Sequence, residues 1–461
     1  MKDSRRLTFC SGAGTVTGAN FLLEVLNGKK LLVDCGLIQG ERFADEINRQ
    51  KFIYEPAAID ALLVTHAHLD HVGRIPKLAK EGFKGPIYST PQTMELAQLV
   101  LDDAVGILAN EARDAGREPL YGEKEVSAVW NIWHTINYHE LAEIVPGVSV
   151  FLKDAGHILG SAMVEFTVTS AKSDGDAMKI LFTGDLGNSP APLLRDTESV
   201  GDVDYLVMES TYGDRNHEPK EERSAKFETI INEAVNRGGT LVVPTFSIDR
   251  TQVLLYELNN LVEQGKIRPV PIFLDSPMAI AATKIYRSNE ALFNDEAKGQ
   301  IARGDDIFAF PKLEFTVASR DSREIEKQSG PKIILAGSGM SVGGRVIGHE
   351  VHYLPDPKST ILLVGYQSTG SLGRELAEGA KKVRIHGEDV RVRARIETLY
   401  GYSAHKDSDH LLEFVATASD RLKKVFVVMG EPKASMYLAQ RINGELKAEA
   451  MAPEVGTVFD L

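Results

Sequence analysis

The chain has 461 residues, enough for two or three domains. Hydrophobic residues make up 43% and charged residues 25%, the balance of an ordinary soluble protein, and no apolar run approaches the roughly 20 residues that span a bilayer. With 52 basic and 65 acidic residues the formal charge is −13, which argues against a protein that coats nucleic acid non-specifically but is compatible with an enzyme whose cleft is locally basic.

The first strand is expected within ten residues of Met1, with no apolar leader ahead of it. Two cysteines, Cys10 and Cys35, are too few for a disulfide framework. Both lie in apolar strand patterns and read as small buried hydrophobes. A cytoplasmic location is the expectation. Residues 7 to 37 read as two strands joined by a hairpin with Asn27-Gly28 at its turn. The Gly-rich run Gly12 to Gly18 precedes that hairpin and is weak evidence for phosphate binding by itself. Asp34 then closes an apolar strand ahead of Gly36, a common place for a loop-orienting carboxylate.

The densest chemistry follows. Ile59 to Val64 is an apolar run of strand type, and it leads into Thr65-His66-Ala67-His68-Leu69-Asp70-His71. In an extended segment His66 and His68 point the same way. Asp70 sits where a helix N-cap is expected, with His71 at its mouth. Two imidazoles from the strand end, and a carboxylate plus imidazole one step later, can supply two adjacent metal positions. Neutral imidazole and carboxylate are the usual zinc ligands in hydrolytic sites.

From Pro91 to His139 the chain reads as helical, and His134 and His139 are expected to be structural or exposed. Val148 to Leu152 and Met178 to Phe182 read as strands. His157 and Asp185 each follow a strand beside glycines. A lone histidine carries little, and an aspartate there can form a turn as easily as bind a metal. Residues 218 to 380 alternate helices with strands, including a helix over Arg250 to Glu263. Such alternation predicts a three-layer α/β domain with a mainly parallel sheet. Between Lys381 and Arg395 six basic residues face two acids, which a solvated strand face would also explain.

His66-Ala67-His68-Leu69-Asp70-His71 resembles the HxHxDH signature of the metallo-β-lactamase superfamily. Further segments resemble its β-CASP family of nucleic-acid-processing enzymes: Glu209 to Gly213, Pro244 to Arg250, Asp275 to Ala279, Ser338 to Arg345, Gly365 to Gln367 and Gly401 to His405. They look most like bacterial and archaeal relatives of the cleavage-and-polyadenylation endonuclease subunit, and the N-terminal KH domains of some archaeal members are not expected here. The resemblance implies an αββα sandwich from residues 1–210 and 381–461, with a β-CASP domain inserted over 211–380.

It also implies a chemistry. His66, His68 and His157 hold one zinc ion, Asp185 bridges, and Asp70 with His71 holds a second. Asp34 supports the site from behind. A metal-bridging hydroxide attacks the phosphodiester of single-stranded RNA. His405, oriented by Glu209, then protonates the leaving 3′-oxygen, so Asp70, Glu209 and His405 are the expected catalytic residues. Ser338, Gly339 and Ser403 are expected phosphate contacts, as are Arg250, Arg345 and Arg374, although Arg345 and Arg374 also suit structural ion pairs. Relatives are often dimeric, so a homodimer is expected by analogy.

One position departs from the family. Its last motif normally supplies a histidine to the second metal, and here Met429 stands there, in Val427-Val428-Met429-Gly430-Glu431. Thioether sulfur is a poor zinc ligand among nitrogen and oxygen donors, so the second metal is expected to bind more weakly. DNA-repair members also have an apolar residue there, which leans towards DNA, whereas the other motifs lean towards RNA. A small-molecule metallo-hydrolase would need neither the insert nor the Glu209/His405 pair. A binding subunit would normally have lost the other ligands.

Overall fold

The computed structural model describes residues 5–25, 28–40, 43–169, 177–368 and 370–461. The expected Asn27-Gly28 turn falls partly outside the described residues. Two seven-stranded sheets face each other. The first runs in the order Val458–Asp460, Arg6–Ser11, Asn20–Glu24, Lys30–Val33, Ala61–Leu63, Ile87–Ser89, Trp133–Thr135. The second runs Ala450–Met451, Lys424–Val427, Tyr205–Met208, Met178–Phe182, Ala162–Val168, Val148–Asp154, Leu141–Val145. Between them lies an apolar layer that includes Phe9, Phe21, Leu31, Val150, Phe166, Phe182 and Phe426. Helices cover the outer faces, as in an αββα sandwich.

Chain order shows the insertion. Tyr205–Met208 pairs in parallel with Lys424–Val427, so the strand that follows Asp185 is completed from near the C-terminus. The residues between build a separate six-stranded parallel sheet, Leu313–Phe315, Ile272–Asp275, Lys332–Ala336, Thr240–Pro244, Thr360–Val364, Arg395–Leu399. Its central strands are buried along their whole length, as parallel strands covered by helices on both faces must be. The helix Arg250–Glu263 has the bounds read from the sequence.

Three expectations need correction. The sheet of the insert runs past residue 380, because Arg395–Leu399 pairs with Thr360–Val364. The basic hairpin Lys382–Ile385/Glu388–Arg391 buries Val383, Ile385 and Val390 in the core of the insert and leaves its Lys and Arg side chains exposed. The region from Pro91 to His139 is not all helix. Pro91–Asp114 is one long helix and Glu123–Trp130 a second, but Trp133–Thr135 pairs with Ile87–Ser89 as an edge strand too short to alternate visibly. Finally, His68 and not Asp70 occupies the N-cap of the helix Leu69–Val72, which places Asp70 in its first turn.

Candidate active site

Backbone contacts press the HxHxDH loop against the start of the chain. Ala19 N donates to Asp70 O at 2.9 Å, Cys35 N to His71 O at 2.8 Å and Leu37 N to Leu69 O at 3.0 Å. Gly36 makes this approach possible: a Cβ there would lie 1.5 Å from Asp70 O. His157 is set by a turn in which Ser161 Oγ accepts its N–H at 3.0 Å, and Asp185 follows the strand Met178–Phe182.

These elements bring four ligand atoms together. His66 Nε2 and His157 Nε2 lie 3.1 and 3.2 Å from His68 Nδ1, and 3.5 and 3.6 Å from Asp185 Oδ2. Donors held about 2.1 Å from a tetrahedral zinc ion are separated by about 3.4 Å, so the spacing fits one ion. Beside them, His71 Nε2 lies 3.4 Å from Asp185 Oδ1 and 3.9 Å from Asp70 Oδ2. His66, His68, His157 and Asp185 form one group able to hold a metal ion, and Asp70, His71 and Asp185 form another.

The proton inventory favours cations here. Asp34 Oδ2 lies 2.8 Å from His71 Nδ1, so that nitrogen carries the proton and Nε2 presents a lone pair. That lone pair and Asp185 Oδ1 face each other, buried and without hydrogen-bond partners. Two acceptors meeting in this way repel unless a positive charge lies between them, either a second proton on His71, which the surrounding carboxylates favour, or a metal ion that replaces it. Thr65 Oγ1 donates to Asp34 Oδ2 at 2.8 Å and accepts from His66 Nδ1 at 3.1 Å, which likewise frees His66 Nε2. His157 Nδ1 donates to Ala404 O at 3.2 Å. Burial pushes the His66 and His157 imidazoles well below their ordinary range and His68 down to about 3. All three are therefore neutral ligands at physiological pH. Burial disfavours charge on His71 as well, but Asp185, Asp34 and Asp70 around it outweigh that effect.

The third group abutting Asp185 is Glu209 with His405. Glu209 is fully buried and accepts Leu186 N at 2.7 Å and Thr211 N at 3.2 Å. Its two oxygens lie 3.0 and 3.2 Å from His405 Nδ1. Burial alone would lower the His405 pKa. The charge and hydrogen bond of Glu209, with Asp185 and Asp70 behind it, raise it to about 9.

The expected phosphate contacts divide. Ser403 belongs to the His405 loop, where its Oγ accepts His405 N at 3.4 Å. Ser338 and Gly339 lie in the turn after Lys332–Ala336, with the Phe246 ring pressed on Gly339. Arg250 is buried, lining a small cavity with His157, Arg223, Asp249, Tyr402 and Ser403. Arg374 pairs with Glu378 at 2.6 Å and stays partly exposed. Arg345 is committed to structure: it bonds Asp275 at 2.7 Å and the carbonyls of Thr316 and Val317. Met429 is buried in the sandwich core, with its sulfur beside Gly12. His134 is exposed, and His139 pairs with Glu198 at 2.8 Å away from these groups. Sequence reading missed Thr65, although its place ahead of the His cluster was a signal, and Arg223, which gave none.

A sandwich whose loops gather histidines and aspartates in this way defines the class of metallo-β-lactamase-like hydrolases. The Metallo-beta-lactamase superfamily matches residues 14–151, the Beta-Casp domain residues 251–376, and the Zn-dependent metallo-hydrolase RNA specificity domain residues 389–453. Ribonuclease TTHA0252 of Thermus thermophilus is 35% identical over 435 residues, 94% of this chain and 95% of the relative. Transcription termination factor FttA of Methanosarcina mazei is 31% identical over 462 residues, 97% of this chain and 70% of the relative. A crystal structure of a protein of unknown function from Enterococcus faecalis V583 shares the fold, with a TM-score of 0.55 at 14% identity, over 99% of this chain and 100% of that one. The chain belongs to the β-CASP branch of the metallo-β-lactamase superfamily, and is a metal-dependent hydrolase.

Proposed function

We propose that the protein is a zinc-dependent ribonuclease that hydrolyses phosphodiester bonds of single-stranded RNA. The observation that carries this reading is the meeting of three side-chain groups at Asp185: two able to hold metal ions, and the Glu209/His405 pair. The ribonuclease name of a relative similar over nearly its whole length supports RNA as substrate. His66, His68, His157 and Asp185 would hold one ion, and Asp70, His71 and Asp185 the other. Bound metal supplies neutralisation of phosphate charge and a water acidic enough to attack phosphorus. Glu209 fixes the proton on His405 Nδ1 and so turns the protonated Nε2 towards substrate. From there the proton passes to the leaving oxygen. The free, buried Cys10 and Cys35 accord with a reducing cytoplasm.

In this reading the second ion has three protein ligands, because Met429 offers none suited to zinc. Zinc titration should give one tight and one weaker site, and Met429→His should tighten the weaker one. Equal affinity at both sites in both proteins would contradict this. The function itself is tested with end-labelled single-stranded RNA. Cutting by the zinc-loaded protein is expected, with loss on chelation and in Asp70→Ala, and the fragment ladder separates internal from terminal cleavage. RNA left intact by the zinc-loaded native protein would overturn the reading.

A further inference from the structure

The loop that carries His405 is held from two sides, and the side belonging to the insert points to a residue outside the family motifs. On the sandwich side Asn188 N donates to Ala404 O at 2.9 Å, Lys406 N to Leu186 O at 2.9 Å, and Asn188 Nδ2 to Ser403 O at 3.1 Å. On the insert side the helix Lys220–Asn236 presents Arg223 and Phe227 one turn apart, both fully or nearly fully buried. Arg223 Nη1 donates to Gly401 O at 2.8 Å, and its guanidinium carbon lies 4.9 Å from the centre of the Tyr402 ring. Phe227 meets the same ring edge-on at 5.5 Å. Gly401 is packed so closely that a Cβ would lie 3.2 Å from Arg223 Cβ.

From this clamp the contacts lead directly to the proton donor. Ser403 N donates to Tyr400 O at 2.7 Å, and Ser403 Oγ accepts His405 N. A shift of Gly401 and Tyr402 would therefore move the His405 ring relative to Glu209. We infer that Arg223 is a positioning residue for the general acid: the inserted domain uses it to hold the His405 loop in register with Glu209. A planar, permanently charged guanidinium suits both halves of this contact, the carbonyl in its plane and the aromatic ring beside it.

The inference rests on the reading of His405 as proton donor, and the experiment separates the two. The full-length, zinc-loaded protein is assayed on single-stranded RNA, whose leaving oxygen needs a proton, and on a nucleoside 5′-(p-nitrophenyl phosphate), whose phenolate leaves without one. The readout is the ratio of kcat on RNA to kcat on the activated ester, with melting temperature and zinc content alongside. In Arg223→Met the ratio should fall about 10-fold or more, with the RNA KM and zinc content unchanged. Arg223→Lys, which keeps the charge and a donor, should recover part of it. His405→Ala should lower the ratio at least as far. A lowered ratio in His405→Ala with an unchanged ratio in Arg223→Met would overturn the inference alone. An unchanged ratio in His405→Ala would overturn the general-acid reading beneath it. Where Arg223→Met does not fold, the ratio in Arg223→Gln, which loses the charge, decides: a native ratio with a lowered melting temperature would make Arg223 purely structural and overturn the inference.

Discussion

Replacing Thr65 by valine would remove a hydroxyl that serves Asp34 and His66 at once. Asp34 would stay buried with one partner fewer, so a loss of about 2 kcal/mol is expected in urea unfolding of the metal-free protein. Zinc affinity should fall by about 10-fold or more, since residues behind the ligands fix their tautomers; unchanged affinity would show that Thr65 does not orient His66. His405 sets the expected pH dependence. Its folded-state pKa stands above 6.5, at about 9, so the acid form persists through neutral pH and is lost as pH rises past that value. RNA cleavage should therefore fall on the alkaline side. Glu209→Gln should move that fall to lower pH, because the charge and hydrogen bond that raise the pKa are weakened. A fall at the same pH in both proteins would contradict the pairing. The metal-side residues were legible in the sequence because four of them crowd into six positions, His66 to His71. Arg223 was not, because its carbonyl partner lies 178 residues away in the sequence.

Among the elements, the loop after Lys30–Val33 and the helix Leu69–Val72 depend on one another through Gly36. Gly36→Ala would force Asp70 away and is expected to cost about 3 kcal/mol or more, read as a lowered urea midpoint together with weaker zinc binding. A second element prediction concerns the helix Ser408–Ala416, just beyond His405. Asp407 caps it, accepting His410 N at 3.0 Å and His410 Nδ1 at 2.7 Å. Burial alone would raise the Asp407 pKa, but these bonds bring it down to about 2. A depressed carboxyl stabilises the fold above its unfolded pKa of about 3.9, and that contribution disappears as pH falls through about 2. Asp407→Ala should cost about 1 kcal/mol at pH 7 and progressively less below pH 4; a constant cost across that range would show that the cap is not ionic. Long elements such as Arg250–Glu263 were legible because an apolar stripe repeats along them. Three-residue strands such as Trp133–Thr135 were not, since pairing with Ile87–Ser89 decides them and not their own pattern.

At the scale of the whole molecule, the insert matters because it returns to the site it interrupts. The sandwich supplies Asp34, His66, His68, Asp70, His71, His157, Asp185 and Glu209, while His405 follows directly after the last strand of the insert, Arg395–Leu399. Alternating helices and strands made the insert legible as a domain, but its end was drawn too early. The charged segment after residue 380 forms a two-stranded hairpin of its own, and the strand that follows it, Arg395–Leu399, joins the parallel sheet by pairing with Thr360–Val364. No helix among the described residues is long and apolar enough to cross a membrane.

The measurement that tests the account most directly is side-by-side cleavage of matched single-stranded RNA and DNA of one sequence by the zinc-loaded protein and by Asp185→Asn, the residue common to all three groups. The account predicts that RNA is cut in preference to DNA by the native protein and that Asp185→Asn cuts neither. DNA cut in preference to RNA, or RNA cut equally well without the Asp185 carboxylate, would contradict it.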